Sequence, residues 1–247
     1  MYRLALAIVD RVNGDNNSDP GTNGELAFLW SNLRGADVVF DVGANIGRWA
    51  QMCLLLNPRI QLHCFEPSRF TFRNLERAGL PPSVRLNNCG LGAVRQPAQL
   101  RIYEEGSDLN SLYTRKGVTG KGWEDKSETV ELVTLDGYCA ENGVVRIDIM
   151  KLDVEGHELQ VLKGAERLLA GGQIGLMQFE YGGCNIDAGV FLKDVFEFVT
   201  SVNPNARFYK VLPQQLVEVP GYDQQLETFR YANYVIGIAR VPRGLQR

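Results

Sequence analysis

The stretch VVFDVGANIGRWA, Val38–Ala50, joins two patterns at a carboxylate. Val38, Val39 and Phe40 form a β-type apolar run that stops at Asp41. Gly43, Ala44, Asn45 and Gly47 follow, almost without side chains, and a helical pattern then begins with Trp49, Met52, Cys53 and Leu56. In open α/β sheets ligands bind beyond the carboxyl ends of the strands. Glycines there let a ligand approach backbone, and the following helix start offers unpaired N–H groups.

A second acid, Glu66, ends the next strand, nineteen residues after Gly47. That separation suits a carboxylate accepting from ribose hydroxyls. The loop reads DxGxNxG rather than GxGxxG. An anion beside it repels a pyrophosphate and suits an ammonium group. A ligand carrying both a ribose and a cationic amino-acid tail satisfies Asp41 and Glu66 together, and S-adenosylmethionine is such a ligand. Asn45 tolerates the left-handed backbone region better than most residues that carry a Cβ.

Outward from this stretch the order is β-α-β-α, which predicts a parallel sheet covered on both faces. Pro58 ends the first helix, IQLHCFE (60–66) is the second strand, and SRFTFRNLERAG is a helix with Ser68 as N-cap and Gly79 as stop. SVRLNN is a third strand, and AQLRIYEE an antiparallel addition. TVELVTLDGYCAENG gives a strand and a short helix, and VRIDIMKLDVEG a strand ending at Asp153. Leu159, Leu162, Ala165 and Leu169 mark one helix face, and Phe191, Val195, Phe198 and Val202 another, on either side of the strand 174–180. ARFYKVL and RYANYVIGIAR are closing strands with no helix between them, hence an antiparallel edge hairpin.

The whole chain, 1–247, reads as one domain. An N-terminal helix and loop occupy 1–25, the core 38–240, and a Gly-, Ser- and charge-rich excursion 105–128, which reads as a substrate lid or else a solvated loop. Asn13–Glu25 is turn chemistry and reads as a connector, with a flap over a site as the alternative. The net charge of −3 gives no electrostatic case for nucleic acid. Five cysteines, the closest pair eleven apart, show no metal or disulfide spacing; they predict buried thiols in a reducing, cytoplasmic setting. No segment approaches the ~18 apolar residues of a membrane helix, and residues 1–15 read as an amphipathic helix rather than a signal.

FDVGANIGRWA, FEP, NCGLG and KLDVEGHELQVLKGAERLL together resemble the FkbM family of S-adenosylmethionine-dependent methyltransferases, over about residues 38 to 180. The resemblance implies a class I methyltransferase, Rossmann-like fold with a mostly parallel seven-stranded sheet. It also implies O-methylation, with members in polysaccharide, glycolipid and secondary-metabolite pathways. By the resemblance, Asp41, Gly43, Ala44, Asn45 and Gly47 form the loop at the methionine part of the cofactor. Glu66 takes the ribose, Pro67 closes on the adenine side, and Asp153 lies beside the methyl group. Asn88 and Cys89 fall near the adenine edge or simply cap a strand. No catechol-type metal trio is evident, so no metal is expected, although Asp153, Glu155 and Glu180 could hold one.

Transfer to a hydroxyl calls for a nearby base. His157 is the first candidate, with a reference pKa of ~6.5; Asp153 and Glu180 are rivals at the same sheet edge. Glu155 either meets the acceptor or favours the helix start, and His63, inside a strand, is structural. In the excursion, Asn110 and Ser111 are candidates to reach acceptor hydroxyls, and Tyr113 and Trp123 to stack on a sugar, with Leu112 as anchor. The family includes an analogous Ser-Leu element, and YGGCN (181–185) is a second candidate wall. The expected acceptor is a sugar or glycoconjugate hydroxyl, or else a polyketide-like or other small metabolite. Rival classes are a nicotinamide dehydrogenase, disfavoured by Asp41, a nucleic-acid methyltransferase, and an inactive cofactor-binding module.

Overall fold

A computed structural model of the chain describes residues 2–103, 107, 109–115 and 126–245. Trp123 and most of the excursion lie outside them. In chain order the elements are α1 (Tyr2–Asn13), α2 (Glu25–Asn32), β1 (Val38–Val42), α3 (Arg48–Leu56), β2 (Gln61–Phe65), α4 (Arg69–Glu76), β3 (Arg85–Asn87), β4 (Gly90–Leu91), β5 (Gln96–Ile102), β6 (Lys126–Val133) and α5 (Leu135–Asn142). There follow β7 (Ile147–Leu152), α6 (Glu158–Lys163), α7 (Glu166–Ala170), β8 (Ile174–Tyr181), α8 (Gly183–Ala188), α9 (Leu192–Val202), β9 (Arg207–Leu212), β10 (Gln215–Val219) and β11 (Ala232–Gly237).

The main sheet runs β10-β9-β11-β8-β7-β1-β2-β3. Strands β3, β2, β1, β7 and β8 are parallel, and β11 is antiparallel to both β8 and β9. It is the α/β layering that the β-α-β order implies, with two reversed strands, β11 and β10, towards one edge. Two details depart from expectation. The sheet has eight strands rather than seven, because Gln215–Val219 turns back on β9 and makes the edge hairpin. The last strand pairs antiparallel with β9 as expected, but β8 flanks its other side, so this pair lies inside the sheet rather than at its edge. The antiparallel addition forms a separate sheet, β4-β6-β5.

Alternation along β1 explains how one short run serves two cores. Phe40 and Val42 point into the layer covered by α5, α6, α7 and α9, while Val39 points towards α2 and α3. Both faces are buried, so the strand reads as continuously apolar, and Asp41 shares the α3 side of the strand with Val39. Ser68 caps α4 as expected, accepting from the Thr71 N–H at 3.5 Å. The single helix expected from Leu159 to Leu169 is two. At the junction a Cβ on Gly164 would lie 2.0 Å from the Gly92 carbonyl oxygen, so the backbones touch and the helix is interrupted. Phe191 sits just before α9 and is half exposed rather than on its buried face. Helix α2 went unanticipated in the sequence; it packs Phe28, Leu29 and Leu33 into the α3-side core. Among the described residues no helix is long and apolar enough to cross a membrane, and all five cysteines are free.

Candidate active site

The carboxyl ends of β1 and β7 meet at Gly43. Its φ is +88°, and a Cβ there would lie 1.8 Å from the Asp153 carbonyl oxygen, so only glycine fits. The Gly43 and Ala44 amides both donate to the Phe65 carbonyl, at 3.0 and 2.9 Å, pinning the loop to the tip of β2. Asn45 has the left-handed φ of +48° expected of it. Gly47, also left-handed, caps α3 and packs on Leu75, away from the clefts described next.

Two clefts share the walls Gly43, Asn45, Asp153 and Glu155. The first encloses about 750 Å³ counted to its open mouth, within the range of small-molecule sites. Phe65, Pro67, Leu91, Leu100, Leu112 and Leu132 line it, with Glu66 among them. Glu66 is buried and accepts from the Asn45 and Ser68 amides at 3.1 and 2.9 Å. Burial nevertheless raises its pKa to about 7. Asn88 and Cys89 do not line this cleft. The Asn88 amide donates to the Glu66 and Pro67 carbonyls, at 2.9 and 3.1 Å, and so fixes the β2–α4 connection; Cys89 packs against the core. The strand-cap alternative describes both, and Gly90 and Leu91 take the place beside the cleft.

The second cleft holds charge. Asp41 is 1% exposed and lines it, yet neither carboxyl oxygen is paired in good hydrogen-bond geometry among the described residues. Burial raises its pKa to about 7 against the opposing pull of the Lys151 ammonium. Lys151, missed in the sequence because it sits inside the strand run IDIMKL, is buried with Nζ 3.0 Å from Asp153 and 3.8 Å from both Glu25 and Glu180. Burial alone would lower its pKa; the carboxylates of Asp153, Glu25, Glu180 and Asp41 overturn that and hold it well above the ordinary value. Burial, then Asp153, pushes the Glu180 carboxyl well above the carboxylate range, and Tyr231 donates to its Oε1 at 3.0 Å. Ser18 and Pro20 also line this cleft, so of the two readings of Asn13–Glu25 the connector is incomplete: the segment forms part of the cleft wall and delivers Glu25.

The DVEGHE turn between the clefts has an internal logic. Glu155 and Gly156 have φ of +52° and +99°, and Glu158 Oε1 accepts from the Val154 and Gly156 amides at 3.2 and 3.3 Å. The segment 109–115 clasps this turn. Ser111 Oγ donates to the Glu155 carbonyl at 2.8 Å, the Tyr113 hydroxyl meets His157 Nδ1 at 2.9 Å, and Arg115 pairs with Glu155 at 2.5 Å. Asn110 accepts from the Tyr103 amide at 3.0 Å. Ser111 and Asn110 line the first cleft, whereas Leu109 and Arg115 line the second, together with Gly182 to Cys184 of the YGGCN stretch. His157 lies with the first cleft, apart from Glu180 and Lys151. Burial lowers its pKa to about 4. His63 is buried in the core, stacked on Phe40 and bonded to Tyr138. Among the described residues no group of three or more His, Cys, Asp or Glu is arranged to hold a metal ion.

Comparisons with known proteins give this geometry a family. A 31-O-demethyl-FK506 methyltransferase, FkbM, from Streptomyces tacrolimicus is 30% identical over 159 residues, covering 54% of this chain and 61% of the relative. The hexuronic acid methyltransferase AglP from Haloferax volcanii is 30% identical over 179 residues, 71% of this chain and 66% of the relative. The matches thus span a little under two thirds of these relatives' lengths. An O-methyltransferase structure from Bacillus cereus, solved with S-adenosylhomocysteine, aligns at a TM-score of 0.48 and 10% identity, over 96% of this chain and 89% of that one. Residues 41–210 match the model of the methyltransferase FkbM domain, which begins at Asp41 itself. The chain belongs to the FkbM methyltransferase family.

Proposed function

We propose that the chain is an S-adenosylmethionine-dependent O-methyltransferase whose acceptor is a hydroxyl of a sugar or glycoconjugate. The carrying observation is Asp41, a buried carboxyl at the tip of β1 with neither oxygen in good hydrogen-bond geometry among the described residues, one glycine-lined wall away from the cleft that holds Glu66. A buried, unpaired anion is costly unless a cation comes to it. The residues present therefore fit the cofactor. Asp41 faces its ammonium, Glu66 its ribose hydroxyls, and Phe65, Pro67 and Leu91 its adenine, with Gly43 to Asn45 passing beneath. When bound, the cofactor supplies a methyl group on a sulfonium, a strong electrophile that needs little beyond positioning.

The protein's own task is to orient the acceptor and take its proton. Glu180 suits that role better than His157. It opens on the charged cleft, burial raises its pKa above the carboxylate range and so makes it a stronger base, and His157 is already engaged with Tyr113 on the other side. Asp153 is tied to Lys151, and Glu155 to Arg115, which makes both wall groups. The density of carboxylates favours a polyhydroxyl acceptor, whose O–H groups donate to them, and disfavours a nucleic acid. The relative that methylates hexuronic acid supports the same choice. The FK506-related relative keeps a polyketide-like acceptor as the second reading. Contributions from Glu25 to Tyr231 support treating the chain as one catalytic unit.

Titration calorimetry with S-adenosylhomocysteine tests the cofactor. Binding by the wild type, weakened in both Asp41→Ala and Glu66→Ala, is expected; unchanged curves for both would discard the assignment. A panel of sugars and polyketides with isotope-labelled cofactor, read by mass, separates the two acceptor readings.

A further inference from the structure

The family-matched segment, 41–210, does not contain all of the charged cleft. Six side chains there close a ring of contacts. Tyr231 donates to Glu180 Oε1 at 3.0 Å, and the Asn233 amide donates to the Tyr231 oxygen at 3.2 Å. Gln178 Nε2 donates both to Asn233 Oδ1 at 2.9 Å and to Glu25 Oε1 at 2.6 Å. Glu25 and Glu180 then share the Lys151 ammonium, each 3.8 Å from Nζ. Gln178, Glu25, Asn233 and Lys151 are all buried. Three members of the ring, Glu25, Tyr231 and Asn233, lie outside the matched segment, and they arrive from α2, from the lead-in to β11 and from β11 itself.

We propose that Glu25 and Tyr231 are positioning residues that set the orientation and charge of Glu180, so that its Oε2 is the atom that takes the acceptor's proton. This rests on the reading of Glu180 as the base. Both tethers act on Oε1, and among the described residues no hydrogen bond is made to Oε2. The acceptor O–H proton passes to Oε2, its electron pair stays on the acceptor oxygen, and the proton is later lost to water. Every charged or titratable group facing Glu180 bears on its ionisation. Asp153, Glu25 and Glu155 disfavour the anion and Lys151 favours it, as does the hydroxyl donated by Tyr231. Glu25 acts twice, as a like charge and as a competitor for the shared ammonium.

The two variants therefore act in opposite directions. Glu25→Gln removes a negative charge and leaves Lys151 to Glu180, so the Glu180 midpoint falls. Tyr231→Phe removes the donor that favours the anion, so the midpoint rises. The test is a 13C carboxyl NMR titration of the full chain, with glutamate labelled and the Glu180 signal identified by its loss in Glu180→Gln. Opposite shifts of about half a pH unit or more are expected. Unmoved midpoints in both variants, or shifts in the same direction, overturn the proposal. Thermal unfolding of both variants is measured alongside, since a purely structural role lowers Tm and leaves the midpoint in place. S-adenosylhomocysteine calorimetry on the wild type reports separately on the cofactor. Binding without midpoint shifts removes the ring and keeps the methyltransferase; midpoint shifts without binding do the reverse.

Discussion

The two clefts are built on the same four wall residues, and their chemistry is opposed. In the first, Glu66 is surrounded by apolar side chains, and each of its oxygens accepts from a backbone amide. In the second, Asp41 is equally buried but without a partner in good hydrogen-bond geometry among the described residues, beside acids that share the buried Lys151 ammonium. Both carboxyls have pKa values pushed to about 7 by burial, so burial alone does not distinguish them; the hydrogen bonds do. Glu66 is held in one rotamer and can still receive hydroxyl donors. Among the described residues Asp41 has only the distant Lys151 ammonium and a weak contact with the Ala50 amide to favour its charge, and so rewards a cation. One strand-tip geometry thus yields an apolar cleft around a hydrogen-bonded acid and a charged cleft around an acid that lacks such bonds among the described residues.

The shared wall is where a single change breaks both clefts. Gly43→Ala puts a Cβ 1.8 Å from the Asp153 carbonyl oxygen, at a φ that L residues rarely adopt. The tips of β1 and β7 must separate, and a loss of about 4 kcal/mol or more is expected, or no folded protein at all. Denaturant unfolding measures it, and stability within about 1 kcal/mol of wild type would show that the wall yields. The charged cleft alone should break in Lys151→Met. Removing the ammonium leaves Asp153, Glu25 and Glu180 facing one another, a loss of about 3 kcal/mol at pH 8. The loss shrinks at pH 6, where Asp41, whose pKa burial raises to about 7 against the pull of this ammonium, becomes mostly neutral. Adenosine binding in the first cleft should survive, and parallel loss of both would mean the clefts are not separable.

Ligand fragments sharpen the contrast further. Glu66→Gln should weaken adenosine roughly tenfold, a hydrogen-bond-sized effect, while Asp41→Asn leaves adenosine unchanged. Asp41→Asn should weaken S-adenosylhomocysteine by a similar factor or more through the ammonium end. Calorimetry on the four combinations tests this; equal responses of both variants to adenosine would merge the two roles. The same Asp41 carries a pH signature. With its pKa near 7 in the free protein, it is mostly protonated at pH 6 and mostly ionised at pH 8. A bound ammonium requires the ionised form, so affinity should rise about tenfold over that interval and then level off. In Asp41→Asn that share of the dependence should vanish, leaving only the smaller part owed to Glu66, whose pKa is also about 7.

How far these sites were legible depended on whether a signal was local. The strand, glycine loop and helix of Val38–Ala50 are consecutive, so Asp41, Gly43 and Asn45 could be read from spacing alone. Glu66 was legible because it ends the adjacent parallel strand. Lys151 was not, since a lone cation in an apolar strand carries no pattern; only the sheet brings it between Glu25 and Glu180. Glu25 and Tyr231 are more than 200 residues apart in sequence, and their meeting depends on β11 entering between β8 and β9. That insertion is itself a non-local pairing which alternation cannot predict, as is the extra strand β10. Asn88 was misleading because a strand-end polar residue can face a ligand or cap backbone equally well, and here it caps.

The smallest expected effect falls on the residue most conspicuous in the sequence. His157 sits at the start of α6 with Nδ1 against Tyr113, and burial holds its pKa at about 4. The unfolded chain takes up its proton near pH 6.5 and the folded chain only near pH 4. Protons therefore favour the unfolded state across that window, and stability falls as pH drops through it. His157→Gln should cost about 1 kcal/mol at neutral pH for the lost contact, while its stability declines less steeply between pH 6.5 and 4. His63, similarly buried and shifted, keeps the rest of the slope. Denaturant unfolding at pH 5 and 6.5 measures the difference. Methyl transfer at neutral pH should fall little, because the base proposed lies in the other cleft. A loss of a hundredfold or more, with stability intact, would return the base role to His157 and make the first cleft, rather than the charged one, the place where the acceptor meets the methyl group.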